Sequence, residues 1–264
     1  MTDDAELQRR VPTRKEPPPF RRVTVRRIED LTPRMRRFVL GGSELDGLVI
    51  DEPAASVRLL LPPAVGAALE LPTWTGNQFE LADGERAPIR TFTPRHLYHE
   101  ANELTIDVVR HDGGAASDWA EAAQPGDEVA VSGPGRGYEI DRDASAYLLA
   151  GDETAIPAIA QLLEEMPEAL PTRVLIEIAD PSARLPLPDH PNADAEWVEN
   201  GADAAPGAAL VEAVRGLADV PPTVWAAGEA AAVQKIRKHL FDERGMSRSD
   251  ATVRGYWKHG RSAT

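Results

Sequence analysis

The chain has 264 residues, of which 42% are hydrophobic, and it carries a formal net charge of −14. Its length and apolar content suffice for one large domain or two ordinary ones, while the negative charge argues against nucleic acid as a partner. Cysteine is absent, which excludes disulfides, thiol nucleophiles and cysteine-ligated iron–sulfur clusters, so any electron transfer requires an organic cofactor.

Residues 1–20 are charged, include three consecutive prolines and lack apolar periodicity, so a flexible N-terminal segment is predicted. Lys and Arg outnumber Asp and Glu over residues 1–40. Such a basic arm either binds an anion or forms a solvated tail that folds back onto the acidic body. Neither a transmembrane run nor the apolar core of a signal peptide is apparent, so we expect a cytoplasmic protein without membrane insertion.

Residues 21–143 predict an antiparallel β-barrel domain. Short runs rich in β-branched residues are separated by Gly, Pro, Asn or Asp, as is typical of all-β barrels and sandwiches. The predicted strands cover residues 23–28, 36–40, 56–61, 88–93, 104–110 and 128–133. One helix is expected over 115–122, and the segment 96–99 (HLYH) is expected in a surface loop.

Residues 144–264 predict a doubly wound α/β domain, because strand-like and helix-like segments alternate. The predicted strands cover residues 146–151, 173–179, 196–200 and 223–228, and the predicted helices cover 154–166, 208–216 and 229–244. The predicted fold class is therefore a β-barrel domain followed by a doubly wound α/β domain, with the boundary near residue 143.

The segment RTFTPR, residues 90–95, ends a predicted barrel strand and combines an aromatic ring, hydroxyls and two cations. A flavin dinucleotide needs a ring for stacking, donors for its polar edge and cations for its phosphates. The alternative is an ordinary edge strand of the barrel.

The segment HDGGAASDWA, residues 111–120, carries two glycines and two alanines at the start of a predicted helix. Small residues let the backbone approach a ligand closely, and Ser117 with the first N–H groups of the helix forms a phosphate cradle. The alternative is a glycine turn that caps a helix, with Trp119 in the core.

Three further segments lie in the α/β half: GDETAIPAI (151–159), WAAGE (225–229) and GYWKHG (255–260). The first sits at a strand-to-helix junction, where doubly wound sheets bind ligands, but lacks the GxGxxG fingerprint. Its Asp152 and Glu153 are read equally well as acids that complement a helix dipole. WAAGE ends a strand at the same edge of the sheet, and its alternative is a plain glycine turn.

In this order the five segments resemble the siderophore-interacting, FAD-binding family of bacterial ferric-chelate reductases, within the ferredoxin–NADP reductase-like superfamily. Two positions depart from the family pattern. Phe92 stands where the family usually has Tyr, which removes a phenolic hydrogen bond, and Ala115 replaces a usual Pro. The resemblance implies an FAD-binding barrel, an NADPH- or NADH-binding α/β domain and a C-terminal tail that returns to the flavin.

The cofactor-binding residues predicted from these motifs and from the resemblance are Arg90, Thr91, Phe92, Thr93, Arg95, His111, Gly114, Ala116, Ser117, Trp119, Thr154, Ala155, Gly228, Glu229 and Trp257. No catalytic side chain is expected, because the flavin carries the chemistry. Arg184 follows a predicted strand where a 2′-phosphate would be recognised, but a solvated loop arginine is an equal alternative.

By resemblance, Arg58, Arg136 and Lys258 hold an anionic ferric siderophore, which a cationic cluster on an acidic protein would attract. The six histidines show no metal-ligand spacing, so no resident metal is expected.

The implied function is an NAD(P)H-dependent, FAD-containing ferric-siderophore reductase that releases ferrous iron in the cytoplasm, and a monomer is expected. Three alternatives stay open: a general flavin reductase or diaphorase, a ferric-chelate reductase driven by ferredoxin, and a siderophore-binding module without redox activity.

Overall fold

The structure is a computed structural model that describes residues 16–64, 66–111 and 113–260. Its N-terminal half consists of β-strands and a single α-helix. In chain order these are β1 (Arg21–Thr32), β2 (Met35–Gly41), β3 (Val57–Leu60), β4 (Thr73–Trp74), β5 (Phe79–Glu80), β6 (Ile89–Phe92), β7 (Pro94–Tyr98), β8 (Glu103–Val109), α1 (Ala115–Ala122) and β9 (Glu128–Ser132).

Seven of these strands form one antiparallel sheet in the order β6-β3-β9-β1-β2-β8-β7, while β4 and β5 pair separately as a small hairpin. The edge strands β6 and β7 are joined by a single residue, Thr93. The sheet must therefore curl until its two edges meet at Thr93, which makes it barrel-like. Its interior is filled by buried side chains such as Phe38, Leu59, Leu104 and Val131.

The segment before β1 is in contact with the barrel. The Ser132 hydroxyl donates to the Pro18 carbonyl at 2.5 Å, and the Phe20 and Phe79 rings lie edge to face with centroids 5.1 Å apart. Of the predicted flexible segment, residues 1–15 lie outside the described residues, while 16–20 include these two contacts.

The C-terminal half alternates strands and helices. In chain order these are β10 (Tyr147–Asp152), α2 (Ile156–Glu165), β11 (Thr172–Ile178), β12 (Ala193–Glu199), α3 (Ala208–Gly216), β13 (Thr223–Glu229), α4 (Ala230–Lys238) and β14 (Ala251–Trp257). The five strands are all parallel, in the order β12-β11-β10-β13-β14. Because β10 and β13 are neighbours, the direction of winding reverses between them, which creates a topological switch point at their carboxyl ends.

Both faces of the parallel sheet are covered. On one face, α2 and barrel residues including Met35 and Ala54 pack against buried side chains of β10, β11 and β13. On the other, α3 and α4 supply Leu210, Val214 and Ile236 to a second core. The predicted fold class, a β-barrel followed by a doubly wound α/β domain, is confirmed. The boundary near residue 143, between β9 and β10, stays a prediction.

Three local expectations differ from the structure. HLYH lies mostly in β7, which pairs with β8 through a bulge after Pro94, so the prediction of a loop at 96–98 is wrong. GYWKHG begins within β14, a parallel edge strand at a position where no strand was predicted. The last predicted helix is regular only to Lys238, and residues 239–243 continue it as a π-helix.

Polar contacts join the two halves around α2. Both carboxylate oxygens of buried Glu153 accept from Arg34 Nε, at 3.0 and 2.9 Å. Arg95 donates twice to Glu164, at 2.8 and 2.6 Å. The Gln161 amide donates to the Pro94 carbonyl at 2.6 Å and accepts from the Ala54 N–H. Because these bonds cross between distant parts of the chain, they fix the barrel against the α/β domain.

We predict that Arg34→Ala lowers the free energy of unfolding by about 2 kcal/mol, because buried Glu153 then loses its counter-ion. Urea unfolding followed by circular dichroism measures the change. Arg27→Ala is the matched control, since Arg27 is exposed and has no ion-pair partner in the described parts of the chain. Equal stability of the two variants would contradict the prediction.

Candidate functional site

The barrel seam and the switch point of the α/β sheet lie close together. Tyr256, near the end of β14, has its hydroxyl beside the Thr93 side chain, and its ring lies edge to face with that of Trp225 in β13, centroids 6.3 Å apart. Burial raises the pKa of the Tyr256 phenol. The segment that closes the barrel therefore meets the C-terminal strand, while the return of the C-terminal tail to the flavin stays a prediction.

The side chains of β6 alternate between the two faces of the barrel wall. Leu59 pairs with Arg90 and Val57 with Phe92, so Arg90 and Phe92 share the interior face with two buried core residues. Thr91 pairs with Arg58 on the opposite face. The structure thus brings the predicted stacking ring and one predicted phosphate ligand onto the same face.

The two arginines of this segment differ in their partners. Arg90 is half-buried, it donates to the carbonyl of its neighbour Ile89, and no carboxylate among the described residues pairs with it. Burial keeps water away from the guanidinium, and this desolvation lowers the pKa of Arg90. Arg95, by contrast, is held by Glu164 in a bidentate ion pair. A buried cation without a counter-ion suits an anionic ligand, so Arg90 is the better candidate for a phosphate group.

The loop before α1 is shaped by glycine. Gly113 and Gly114 have φ of 75° and 99°, in the region that side chains disfavour. Ser117 is buried and its hydroxyl accepts from the His111 N–H at 2.8 Å, which closes the loop. Among the described residues, no side chain caps the start of α1, so none of them competes with an anion for its first N–H groups. Residue 112 lies outside the described residues.

Trp119 occupies a different place from the one predicted. It is 5% exposed, and its ring lies 4.4 Å from that of Phe38 in the barrel core. Trp119, which was predicted to contact the cofactor, therefore packs in the barrel core and joins α1 to the sheet in this structure. Helical spacing explains the difference, because Trp119 and Ala123, four residues apart, lie on the same side of α1 and both belong to the barrel core.

These features fit the requirements of FAD. The uncompensated guanidinium of Arg90, the uncapped start of α1 and the open glycine loop offer a cation and N–H donors for a pyrophosphate. Phe92 offers a partly exposed aromatic face on the same side of β6 as Arg90. This donor set therefore matches an anionic dinucleotide with an aromatic ring.

A buried carboxylate, Asp152, lies at the switch point. One of its oxygens accepts from the Thr154 N–H and hydroxyl, at 2.9 and 2.5 Å. The other accepts from the Glu229 N–H and from Trp257 Nε1, both at 2.8 Å. Burial raises the pKa of Asp152, and these four donors oppose that rise. The residue ties the ends of β10, β13 and β14 together.

Gly228 is required by this arrangement. Its φ is 150°, and a Cβ placed there would lie 2.6 Å from a carboxylate oxygen of Asp152. The group that approaches the backbone closely at this glycine is the Asp152 carboxylate, and the predicted role of Gly228 in cofactor binding stays a prediction. Glu229, which is buried, accepts from the Ala232 N–H at 2.8 Å and from the His259 N–H at 3.2 Å.

The chain's own carboxylates cap the helices at the carboxyl edge of the parallel sheet. Asp152 caps the turn that leads into α2, Glu229 caps α4, and buried Glu177 accepts from the Gly207 and Leu210 N–H groups at the start of α3. Burial raises the pKa of Glu177. Because these N-termini already hold negative groups, the phosphates of a nicotinamide nucleotide need cations from elsewhere.

Thr154 and Ala155, two further residues predicted to bind a cofactor, also lie at the carboxyl edge of the parallel sheet. Thr154 uses its hydroxyl to donate to Asp152. Ala155 is fully buried, and a Cβ on Gly151 would lie 2.4 Å from its methyl group. The absence of a side chain at Gly151 therefore allows the strand to pack closely against Ala155.

The three predicted substrate-binding cations come from three segments. Arg58 is partly exposed on β3 and pairs with Ser132 of β9. Arg136 is exposed in the loop after β9, and Lys258 is exposed directly after β14. None of the three makes an ion pair with another described residue. Arg254 links two of these segments, because it donates to the carbonyls of Arg136 and Gly137 at 3.4 and 2.5 Å.

The sequence analysis did not identify Asp152 as the centre of the network, nor Arg254 and Gln161 as links between the halves. The signal for Asp152 was present, since an acid ends β10 and a glycine is the second-last residue of the adjacent β13. Among the described residues, no group of three or more His, Asp or Glu side chains could hold a metal ion. No helix in those same ranges is long and apolar enough to cross a membrane.

Comparison with known proteins covers nearly the whole chain. The family model described as "Siderophore-interacting FAD-binding domain" matches residues 15–138, and that described as "Siderophore-interacting protein" matches residues 144–260.

Proteins that share more than 30% of their residues with this chain include two solved structures and a curated reductase. A siderophore utilization protein from T. fusca is 36% identical with a TM-score of 0.83, over 95% of this chain and 97% of that one. The siderophore-interacting protein SipS from Aeromonas hydrophila is 31% identical with a TM-score of 0.76, over 93% and 94%. The NADPH-dependent ferric-chelate reductase of Escherichia coli (strain K12) is 31% identical over 90% of this chain and 92% of its own length.

The matches extend through both halves of the chain, and the barrel seam and the switch point lie in the matched regions. The chain therefore belongs to the siderophore-interacting protein family.

Proposed function

We propose that the protein is an NADPH-dependent, FAD-containing reductase of ferric siderophores. The observation that carries the proposal is the half-buried Arg90, which has no carboxylate partner in the described ranges and shares its face of β6 with Phe92. Family membership and the similarity to an NADPH-dependent ferric-chelate reductase support both cofactors. We propose the cytoplasm as the place of action and a monomer as the working unit.

Bound FAD would supply the exchange between a two-electron hydride donor and one-electron ferric acceptors. Arg90 and the first N–H groups of α1 would hold its pyrophosphate, and Phe92 would give its ring an apolar face. Thr91, Thr93, His111, Gly114, Ala116 and Ser117 complete the proposed FAD contacts. Gly228, Glu229 and Trp257 border the proposed nicotinamide site.

The proposed substrate site depends on electrostatics. Arg58, Arg136 and Lys258 have no described ion-pair partner on a chain of net charge −14. Unpaired cations on an acidic surface concentrate the local positive potential and attract anions. A ferric triscatecholate complex carries several negative charges, so it is the substrate class that these residues suit. The oxygen ligands of the siderophore bind ferrous iron less tightly than ferric iron, so reduction releases the metal.

We predict that Arg90→Ala raises the dissociation constant of FAD about tenfold or more, because a charge-assisted contact to phosphate is lost. Titration of flavin fluorescence against the apoprotein measures the constant. Arg27→Ala, on the same barrel, should bind FAD as the unmodified chain does. An unchanged constant for Arg90→Ala would remove this residue from the site.

The reductase activity is tested with FAD-loaded protein that is chemically reduced under anaerobic conditions and mixed with a ferric triscatecholate siderophore. We predict a rapid return of the oxidised flavin absorption bands, with ferrous iron trapped by a chelator. Flavin that stays reduced would contradict the proposed function for this substrate class.

The same experiment with the variant Arg58→Ala/Arg136→Ala/Lys258→Ala should be about tenfold slower or more, with a weaker dependence on salt. An uncharged quinone acceptor is the control, and both proteins should reduce it at similar rates. Equal rates with the ferric complex would favour a general flavin reductase.

Recognition of NADPH is proposed for Arg184, which is half-exposed and lies 3.4 Å from Glu199, beyond the carboxyl end of β11. We predict that Arg184→Ala raises the KM for NADPH about tenfold and leaves the KM for NADH unchanged, because only NADPH carries the 2′-phosphate. Steady-state kinetics with both donors measure this ratio. Arg215→Ala, a similarly exposed arginine at the end of α3, is the control, and equal effects on both donors would contradict the assignment.

A further inference from the structure

A bulge separates two aromatic residues at the end of β14. Gly228 pairs with Gly255 and Glu229 with Trp257, so Tyr256 is an extra residue in the ladder. Tyr256 turns to the barrel, where it lies beside Thr93. The next residue, Trp257, turns to the switch point instead. Consecutive rings therefore contact the two halves of the candidate site.

Trp257 is anchored through the N–H group at the edge of its indole ring. Its Nε1 donates to Asp152 at 2.8 Å, and the side chain is only partly buried. The His259 ring is its nearest aromatic neighbour, edge to face at 6.4 Å. One hydrogen bond to a buried carboxylate thus anchors an indole whose faces are not fully covered.

The carboxylate of Asp152, which accepts this hydrogen bond, is held in place by its other partners. All four partners of Asp152 are donors: the N–H and hydroxyl of Thr154, the Glu229 N–H and the indole. Gly228 lies against the same carboxylate, at a distance that admits no Cβ. The backbone fixes the N–H groups of Thr154 and Glu229 and the position of Gly228. The carboxylate among them therefore has one orientation, and it imposes that orientation on the indole.

We propose that Asp152 is a positioning residue that fixes Trp257 as a rigid wall of the pocket for the nicotinamide ring. The donor's ring binds against this wall rather than displacing it. The inference rests on the proposed function, and it deepens that function by naming what orients the hydride donor. A wall at the switch point affects the transfer from NADPH to the protein but not the later delivery of electrons to iron.

The test compares Asp152→Asn and Trp257→Phe with the control Trp197→Phe, which changes an indole on β12 at the far edge of the sheet. An Asn side chain presents an amide N–H₂ to one pair of donors, while Phe keeps a ring and removes the indole N–H. Anaerobic stopped-flow mixing of each FAD-loaded protein with NADPH measures the limiting rate of flavin reduction and the apparent Kd.

Both site variants should reduce flavin about tenfold more slowly with little change in the Kd for NADPH, because a misplaced ring lowers the rate and the phosphate contacts carry affinity. The double variant should be no slower than the slower single one, since both remove the same bond. Reoxidation by the ferric triscatecholate complex should stay unchanged in all variants.

A second readout is independent of activity. The chain has five tryptophans, so the ¹H–¹⁵N spectrum shows their indole N–H signals, and Trp257→Phe identifies one. Asp152→Asn should shift that signal and speed its exchange with water, while Trp197→Phe should leave it in place.

Full reduction rates in Trp257→Phe would overturn the proposal even if Asp152→Asn failed to fold. Loss of reoxidation by the ferric complex in the unmodified protein would instead contradict the proposed function, because that step does not involve NADPH.

Discussion

The buried carboxylate of Asp152 organises the α/β half of the molecule. An ionised group without water is tolerated only when its oxygens are fully hydrogen-bonded, and here the donors come from the turn before α2, the end of β13 and the end of β14. Satisfying one charge therefore fixes three chain segments. Gly228 follows from the same constraint, since any side chain there would meet the carboxylate.

Contacts between the two halves reach both the segment proposed to hold FAD and the loop that carries Arg136 of the proposed siderophore site. Gln161 binds the Pro94 carbonyl directly after the barrel seam, and Arg254 binds three carbonyls, those of Ala54, Arg136 and Gly137. Carbonyls without other donors are costly to leave unpaired in an interface. The α/β domain thus completes the hydrogen bonding of the barrel at the site itself, which ties the geometry of the proposed flavin segment to the position of the neighbouring domain.

Local patterns in the sequence predicted much of this fold but little of its tertiary network. The bounds of α1 and α3 agree with their periodicity, and the change from strands to alternating elements located both halves. Strands β7 and β14 were not predicted, because the pairing of an edge strand depends on partners far away in the sequence. For the same reason, RTFTPR indicated two phosphate ligands, although Glu164 on α2 occupies Arg95 and leaves only Arg90 without a described counter-ion.

Self-capping of the helices has a consequence for both proposed anionic ligands. With Asp152, Glu177 and Glu229 at the helix starts, the carboxyl edge of the sheet offers negative charge where doubly wound folds usually offer positive ends. Affinity for anions must then come from cations at the margin, such as Arg184 beyond β11 and Lys258 after β14. Since these two cations follow different strands, the proposed assignments give the dinucleotide and the iron chelate separate side chains.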